Sequence, residues 1–365
     1  MEKVENYNYI MRQAPGRGYS FAYPRIDKKR AINLFKNSDI FALGKTAQAI
    51  RMDKHPRNVV TFIIDRNINY TNICISKCKF CAFYRKLQDE DAYVLKKDDI
   101  FRKIQETVDL GGTQILLQGG INPDIEFDYY LNLLSVVKEK FGIHIHAFSP
   151  PEIYYLADIN NITVKEAILL LKDAGLDSIP GGGAEILVDR VRKKISPNKI
   201  SSEKWLKVME EAHNAGLSTS ATMMFGTIET DEDIIEHLFK LRDLQDKTGG
   251  FKSFIPWSFQ SKNTKLNSKG VHGHYYLKVL AISRIILDNF DNIQASWVTQ
   301  GAKMGQVALS FGANDMGSTM IEENVVKAAG TQNAMVNEKD MVRLIKDAGF
   351  IPAQRLNNYD IVKFY

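Results

Sequence analysis

The chain has 365 residues, of which 44% are hydrophobic and 25% charged, an ordinary composition for a globular protein. Its 48 basic and 43 acidic residues give a net charge of +5, which is too balanced to indicate nucleic-acid binding. No apolar run approaches the ~20 residues that span a bilayer, and residues 1–20 lack the apolar core of a signal peptide, so we expect a cytoplasmic protein without a membrane segment.

The hydrophobic pattern predicts strands and helices that alternate along most of the chain. Residues 1–25 show no clear period and are interpreted as an arm or lid, and two short helices are expected between Asp27 and Met52, with Ser38 as a cap between them. Strands are predicted at Val59–Ile64, Gln114–Gln118, Ile143–Phe148, Leu176–Ile179, Thr219–Phe225, Phe251–Trp257, Ile293–Val298 and Val307–Asn314. Helices are predicted at Lys97–Leu110, Phe127–Lys140, Val164–Ala174, Ser202–Ala215 with Ser202 as its cap, Asp231–Gln245, Tyr275–Asn289, Glu322–Ala329 and Glu338–Ala348, before a tail at Ile351–Tyr365.

Alternation at this rhythm is typical of parallel strands that are joined by right-handed crossovers. Seven or eight such units without an internal linker predict an α/β fold of the (β/α)8 type, a TIM-type barrel, rather than an open sheet. We therefore predict an N-terminal arm with helices at residues 1–57, a barrel at residues 58–330 and a helical C-terminal extension at residues 331–365.

All three cysteines of the chain lie in one short segment, Asn69–Arg85. Cys74, Cys78 and Cys81 have the spacing C-x-x-x-C-x-x-C, which allows their thiolates to converge on one small inorganic centre. Three ligands leave one iron of a four-iron cluster open to a chelating cofactor. The odd number of cysteines argues against a disulfide framework. A zinc site that uses a distant histidine such as His144, or three unrelated buried cysteines, remains an alternative.

Unusual residues end the predicted strands, where the active sites of such barrels lie. Gly119 and Gly120 end the second strand and permit close approach of a ligand to the backbone. His144 and His146 alternate with apolar residues and are expected to point into the barrel, where His146 is a candidate for hydrogen bonding or proton transfer. Glu185 follows a run of three glycines and is a candidate for binding a ribose hydroxyl.

Aromatic and amide side chains end the predicted sixth and seventh strands, in the segments Ile255–Gln260 and Gln294–Gln300. This mixture suits a flat aromatic substrate with polar substituents. Core packing is an equal alternative for Trp257 and Trp297. The methionines that end the fifth strand are expected in the core.

Taken together and in this order, the motifs resemble the radical S-adenosylmethionine (SAM) enzymes, and among them the branch that serves menaquinone biosynthesis. The resemblance rests on Asn69–Arg85, Gln118–Pro123, His144–Glu152, Pro180–Arg190, Ala221–Glu229, Gln294–Gly301 and Gly312–Asp315. It implies that Cys74, Cys78 and Cys81 hold a [4Fe–4S] cluster whose open iron binds SAM. The SAM contacts that it implies, together with those suggested by the strand ends, are Phe80, Gln118, Gly119, Gly120, Glu185, Thr222 and Gly226.

The resemblance also implies an enzyme that uses a 5′-deoxyadenosyl radical to abstract hydrogen from the ribose of dehypoxanthine futalosine, which then cyclises. His146 and Glu185 are the candidate catalytic residues, and Arg85 or Lys303 is expected to bind the substrate carboxylate. A one-electron donor such as a flavodoxin or ferredoxin is the implied partner. Aminofutalosine synthases and FO synthase subunits resemble the chain in the same way and remain alternatives. A non-catalytic iron–sulfur or zinc protein is an alternative of another class.

Overall fold

The computed structural model describes residues 10–14, 17–22, 25–266, 268, 270–331 and 335–365. The strands are β1 (Ile10–Ala14), β2 (Arg17–Ala22), β3 (Val59–Ile63), β4 (Asp65–Ile68), β5 (Gln114–Leu117), β6 (His144–Ala147), β7 (Ser178–Ile179), β8 (Ser218–Phe225), β9 (Phe251–Ser258), β10 (Asn292–Ile293), β11 (Asp315–Ser318), β12 (Ile351–Arg355) and β13 (Ile361–Phe364). The helices are α1 (Lys28–Asn37), α2 (Ile40–Lys54), α3 (Lys97–Asp109), α4 (Phe127–Phe141), α5 (Pro150–Ile159), α6 (Val164–Asp173), α7 (Asp189–Ile195), α8 (Ser202–Asn214), α9 (Asp231–Thr248), α10 (Gly273–Ile286), α11 (Trp297–Gln300), α12 (Ala302–Ala308), α13 (Val325–Ala328) and α14 (Glu338–Asp347). Among the described helices, none combines the length and the apolar character needed to cross a membrane.

Seven parallel strands form one curled sheet, in the order β4–β5–β6–β7–β8–β9–β10. A second sheet has the order β11–β3–β12–β13. Only Ile64 separates β3 from β4, so a single bent strand connects the two sheets. On the other side, a parallel bridge between Gln294 and Asp315 joins them. The predicted α/β barrel is therefore confirmed.

The strands bury apolar side chains on one face and present polar side chains on the other, because successive residues of a strand point to opposite faces. On β8, Ala221 and Met223 are fully buried in the hydrophobic core. Ser220 and Thr222 alternate with them and line the interior of the barrel. The helices therefore cover an apolar surface, while the lumen is polar enough to receive a ligand.

Helix α5 was not predicted, because the prolines at its start were interpreted only as the end of a strand. Pro150 and Pro151 occupy the first turn of the helix, where a backbone N–H would have no helical partner. Ser149 and Glu152 form a capping box around that turn. The same residues therefore end β6 and begin α5. The short helix α7 was also missed.

Two predicted helix caps are shifted by one residue. Ser38 is the C-cap of α1, whereas Asp39 caps α2 by accepting hydrogen bonds from backbone N–H groups of its first turn. Ser201 rather than Ser202 caps α8, and its hydroxyl accepts the N–H of Lys204. In both cases two adjacent residues are of types that cap helices equally well, so the sequence does not show which of them is the cap.

The predicted seventh and eighth strands were placed wrongly. The seventh strand, β10, ends at Ile293, and Trp297–Gln300 forms a helix instead. The segment predicted as the eighth strand is mostly α12 and a following turn, and the strand is β11 at Asp315–Ser318. The indole of Trp297 donates a hydrogen bond to the Ser318 carbonyl at 3.1 Å. This tertiary contact and the small buried residues of α12 override the local β-propensity.

Both ends of the described chain contain strands that were not predicted. β1 and β2 form an antiparallel hairpin inside the segment that was interpreted as an arm, and residues 1–9 of that arm lie outside the described residues. At the other end, β12 pairs in parallel with β3, and β13 pairs antiparallel with β12. The predicted tail therefore extends the second sheet beside the first barrel strand.

Candidate active site

The cysteine loop leaves the barrel at the carboxyl end of β4. Two backbone hydrogen bonds close its base, from Cys74 N–H to the Arg85 carbonyl at 3.0 Å and from Arg85 N–H to the Asn72 carbonyl at 2.7 Å. The Arg85 guanidinium donates to the carbonyls of residues 82–84 and pairs with Asp91 at 2.6 Å. Arg85 thus stabilises the loop itself, and the geometry gives no support to the prediction that it binds a substrate carboxylate.

Backbone N–H groups point at two of the three cysteine sulfurs. Ile121 N–H donates to Cys74 Sγ at 3.4 Å, and residues 83–84 donate to Cys81. Cys78 is 5% exposed, and the other two cysteines are partly exposed. Sulfurs that accept backbone hydrogen bonds are typical of iron–sulfur sites, where such bonds tune the cluster potential.

Three thiols in one loop are the donors that an iron–sulfur cluster uses. Within the described ranges, no three His, Cys, Asp or Glu side chains converge on a position for one ion. In a four-iron cluster each cysteine binds a different iron, so a wider arrangement of thiols is expected. Burial raises the pKa of Cys78 to about 12, with Lys199 opposing the rise and Glu185 adding to it. The free Cys78 thiol is therefore protonated, and binding of a metal centre would displace its proton.

Lys199 is a partly buried cation beside the cysteine loop. Its ammonium lies 5.2 Å from the ring centroid of Phe80 and donates to Glu185 Oε1 at 2.7 Å. Burial alone would lower the pKa of Lys199, but the charge and the hydrogen bond of Glu185 oppose that effect, and the pKa lies above its usual range. Sequence analysis missed Lys199, because a lysine in an irregular segment carries no local sign that it is buried.

Glu185 has two cationic partners. Besides Lys199, the guanidinium of Arg192 lies 3.4 Å from Glu185 Oε2. The side chains of Glu185 and Arg192 are almost fully buried, and Glu185 also lines the cavity inside the barrel. The carboxylate predicted to bind a ribose hydroxyl is thus held in place before any ligand arrives.

The glycine turn after β5 packs directly on the cysteine loop. Gly119 N–H donates to Glu152 Oε1 at 3.2 Å, and Gly120 N–H donates to the Thr71 carbonyl at 3.0 Å. A Cβ on Gly120 would lie 2.8 Å from Cys74 Cβ and still closer to the backbone of Ile73. Glycine is therefore required here by the close approach of two backbones.

Glu152 is a second residue of the candidate site that sequence analysis did not single out. The phenol of Tyr70 donates to Glu152 Oε1 at 2.7 Å, and Ser149 donates to Oε2 through N–H at 2.7 Å and hydroxyl at 2.6 Å. Burial raises the pKa of Glu152, and these donors oppose that rise. One carboxylate thus connects the start of the cysteine segment, the glycine turn at Gly119 and the first turn of α5.

The barrel contains a cavity of about 330 Å³ that is lined by both apolar and polar side chains. Its described lining is Ile63, Asp65, Asn67, Gln114, Leu116, Gln118, His146, Pro180, Gly182, Gly183, Glu185, Thr219, Ser220, Thr222, Lys252, Ser253, Ile255, Trp257, Gln294, Ser296, Val298, Thr299, Ser318, Met320, Glu323, Val325, Val326, Arg355, Asn357 and Tyr359. Amide and hydroxyl groups predominate among the polar groups, and Trp257 adds an aromatic surface. Such a lining is able to bind a hydroxylated ligand that carries a ring.

Four of the eight residues that were predicted to bind SAM or to act in catalysis line this cavity. Gln118, His146, Glu185 and Thr222 line it. A smaller cavity of about 50 Å³ is lined by Phe80 and Cys81 and shares Trp257, Val325 and Val326 with the large one. Gly226 packs against Val271 instead, and its N–H is bound by the carboxylate of Glu229.

Residues from the end of the chain form the floor of the cavity, and none was predicted. Arg355 donates to Asp315 Oδ2 at 2.6 Å, and the hydroxyl of Tyr359 donates to the same oxygen at 2.6 Å. Asp315 is fully buried. The strand hairpin β12–β13 brings these residues to the barrel, whereas Lys303, a predicted substrate ligand, is exposed on α12.

Comparison with protein families matches two consecutive parts of the chain. The model described as radical SAM superfamily matches residues 68–241, and the model described as CofH/MqnC C-terminal region matches residues 248–364. Among solved structures, methylornithine synthase (PylB) is similar with a TM-score of 0.70 and 18% identity, covering 90% of this chain and 95% of that one. The hydrogenase maturase HydG of Carboxydothermus hydrogenoformans has a TM-score of 0.73 and 17% identity, covering 92% of this chain and 77% of that one. At these identities the structures support the fold alone.

Curated relatives cover nearly the whole chain. The cyclic dehypoxanthine futalosine synthase of Halalkalibacterium halodurans is 46% identical over 93% of this chain and 92% of the relative. The enzyme of the same name from Streptomyces coelicolor is 44% identical over 92% of this chain and 85% of the relative. The 5-amino-6-(D-ribitylamino)uracil–L-tyrosine 4-hydroxyphenyl transferase of Methanocaldococcus jannaschii is 41% identical over 94% of this chain and 99% of the relative.

Proposed function

The chain belongs to the radical SAM superfamily, in the group that carries the CofH/MqnC C-terminal region, and on this premise we propose that it cyclises dehypoxanthine futalosine in menaquinone biosynthesis. One observation carries the proposal. The cysteine loop, the glycine turn and the polar lumen meet at one end of the barrel, in a chain similar over nearly its full length to two enzymes of that name. The geometry supports the type of chemistry, and the similarity supports the substrate.

Cys74, Cys78 and Cys81 are proposed to hold a [4Fe–4S] cluster whose fourth iron binds SAM. When bound and reduced, this centre supplies the electron that generates a 5′-deoxyadenosyl radical from SAM. The proposed SAM contacts are Phe80, Gln118, Gly119, Gly120, Glu185, Thr222 and Gly226. Of these, the Gly119–Gly120 turn has the strongest support, since its backbone already contacts the cysteine loop.

The protein's own groups aim the substrate and exclude water. The substrate is proposed to place its ribose towards the cysteine loop and its benzoate ring in the lumen, against Trp257 and the amides of the lining. His146 lies in that lining and is the proposed proton acceptor. Burial, together with the neighbouring His144 and Arg355, lowers its pKa to about 3, so its imidazole is neutral and able to accept a proton.

A second function is supported by the methanogen relative, whose name describes a transfer of the 4-hydroxyphenyl group of L-tyrosine to 5-amino-6-(D-ribitylamino)uracil. Its 99% coverage at 41% identity means that the same barrel and extension serve a different substrate pair. Both reactions join a ribose- or ribityl-bearing molecule to an aromatic ring, so the polar lumen by itself does not separate them. Aminofutalosine synthesis is the third substrate choice to be tested.

The proposed function is tested by anaerobic reconstitution with iron and sulfide, followed by SAM, a one-electron reductant and each candidate substrate in parallel reactions. With dehypoxanthine futalosine, mass spectrometry is expected to detect 5′-deoxyadenosine and a cyclised product two hydrogens lighter than the substrate. Product only with tyrosine and the ribitylaminouracil, or only with the aminofutalosine precursors, would contradict the proposal. SAM that stays uncleaved in every reaction would favour a non-catalytic iron–sulfur or zinc protein.

Substituting alanine for Gly120 is expected to lower the rate of SAM cleavage by roughly 100-fold, because displacing the turn by about 1 Å misplaces the cofactor. The added Cβ would lie 2.8 Å from Cys74 Cβ. SAM-cleavage kinetics and iron content are the measurements. Gly142→Ala is the matched control: Gly142 has a φ of 60° with nothing within 4 Å of a Cβ, so we expect about 1 kcal/mol of destabilisation and unchanged cleavage. Equal rates in the two variants would contradict the assigned role of the turn.

We further propose the setting in which the enzyme operates. A flavodoxin or ferredoxin is the proposed electron donor, and the cytoplasm is the proposed location, since a reducing compartment preserves a thiolate cluster. The division into residues 1–57, 58–330 and 331–365 is kept as a proposal. Limited proteolysis, with cleavage at its boundaries, is the measurement that tests this division.

A further inference from the structure

The hydroxyl of Ser178 bridges two histidines of the neighbouring strand. Ser178 Oγ lies 2.7 Å from Nδ1 of His146 and 2.7 Å from Nε2 of His144. Strand β7 pairs with β6 so that Ser178 stands opposite His146, which places all three side chains on the inner face. Ser178 is fully buried, so within the described structure its hydroxyl is committed to this bridge.

The bridge has the properties of a proton-conducting chain. Burial lowers the pKa of both histidines, with Asp177 opposing the shift at His144 and Lys138 adding to it. A neutral imidazole has one N–H and one bare nitrogen, and a hydroxyl donates one hydrogen bond and accepts another. Each of the three groups is therefore able to accept a proton at one atom and release one from another.

The two ends of this hydrogen-bond chain, His146 and His144, lie in different environments. His146 lines the cavity and leaves Nε2 unused by the bridge. His144 is partly exposed, near the Lys138–Asp177 ion pair at the opposite end of the strand from the cysteine loop. The hydrogen-bond chain thus leads from the lumen to the end of the barrel that lies away from the cysteine loop. A proton is able to leave along it without water entering the barrel from the cysteine-loop end.

We propose that Ser178 and His144 form the exit path for the proton that the cyclisation releases, an inference that rests on the proposed function. When the ribose carbon radical has bonded to the benzoate ring, the attacked ring carbon must lose its hydrogen to restore aromaticity. The proton passes to His146 Nε2, the Nδ1 proton passes to Ser178, the Ser178 proton passes to His144 Nε2, and the His144 Nδ1 proton passes to solvent. The remaining electron goes to a one-electron acceptor of the iron–sulfur class.

Loss of the relay is expected to change the ratio of cyclised product to 5′-deoxyadenosine, which a general structural defect would not change. Hydrogen abstraction precedes ring closure, so a variant without the relay still forms 5′-deoxyadenosine but completes fewer cyclisations. In Ser178→Ala the ratio of cyclised product to 5′-deoxyadenosine is expected to fall by roughly 100-fold, the lower end of a general-base contribution. His144→Gln is expected to give a similar fall, because its amide replaces Nε2 in the hydrogen bond but cannot relay a proton.

The experiment measures both products in the reconstituted enzyme with dehypoxanthine futalosine, and records the organic radical by electron paramagnetic resonance. The matched control is Ser283→Ala, which removes another fully buried hydroxyl, bonded to the Val279 carbonyl of its own helix. We expect wild-type ratios in the control and an accumulated ring radical in the two relay variants.

The possible results distinguish failure of the proton relay from failure of the proposed function. Wild-type product ratios in His144→Gln would overturn the relay, whatever Ser178→Ala does, because the amide preserves the local structure. A parallel fall of both products in both variants would overturn it as well, since that pattern indicates a purely structural role. A wild-type enzyme that forms no cyclised product would instead refute the proposed function on which the relay rests.

Discussion

A Cys78→Ser variant is expected to lose the iron–sulfur chromophore and to cleave no SAM. Serine is close in size to cysteine, but its oxygen is a poor ligand for an iron–sulfur cluster, which thiolates hold. Because the cluster is the only source of the initiating electron, we expect the rate of 5′-deoxyadenosine formation to fall by at least ~1,000-fold. Iron content, visible absorbance and product analysis after anaerobic reconstitution are the measurements.

The folded barrel is expected to survive this change, which separates loss of chemistry from loss of structure. Cys78 belongs to a loop, so its replacement leaves the strands of the barrel intact. Ser76→Ala is the matched control in the same loop, because the buried Ser76 hydroxyl has no hydrogen-bond partner in the structure. We expect this control to assemble the cluster normally. A Cys78→Ser enzyme with wild-type SAM cleavage would refute the radical mechanism and favour a zinc or sensor role for the cysteines.

The barrel was predictable because its signals are local. Apolar runs of strand length alternate with amphipathic helices, and parallel pairing follows from that alternation. The errors occur where one residue type serves two purposes. Pro150 both ends a strand and begins α5, and the segment Val307–Asn314 has the composition of a strand but forms the end of α12 and the turn that follows it. Short β-branched runs do not reveal which of the two structures packs better.

In the candidate site, too, the predicted residues are those whose partners lie close in sequence, and the missed ones have distant partners. The cysteine spacing and the glycine turn are visible in the sequence because the residues that act together are neighbours in the chain. Glu152 was not identified because its partner Tyr70 is 82 positions away, and Tyr359 reaches its partner Asp315 across 44 positions. Lys199 was missed because burial, rather than residue type, makes it part of the site. The missed residues are those whose contacts join parts of the chain that are far apart in sequence.

A Glu185→Gln variant is expected to lower the free energy of unfolding by about 3–5 kcal/mol, because it leaves the buried Arg192 and the partly buried Lys199 beside a neutral amide. The side chain of Glu185 is 4% exposed, that of Arg192 is 3% exposed and that of Lys199 is 15% exposed. Urea unfolding of the cluster-free protein measures this effect without any contribution from cofactors. Glu211→Gln is the control, since its partner Lys207 is 56% exposed and such surface pairs contribute only about 0.3–0.5 kcal/mol.

The same variant decides between two roles of Glu185, as a SAM ligand and as the counter-ion of Lys199. The double variant Glu185→Gln, Lys199→Met removes the unpaired cation along with the carboxylate, so we expect it to recover part of the lost stability. If Glu185 binds SAM, the reconstituted double variant still fails to cleave SAM although it is folded. Recovery of cleavage together with stability would show that the carboxylate acts only by holding Lys199, and the SAM contact would then have to be assigned elsewhere in the lumen.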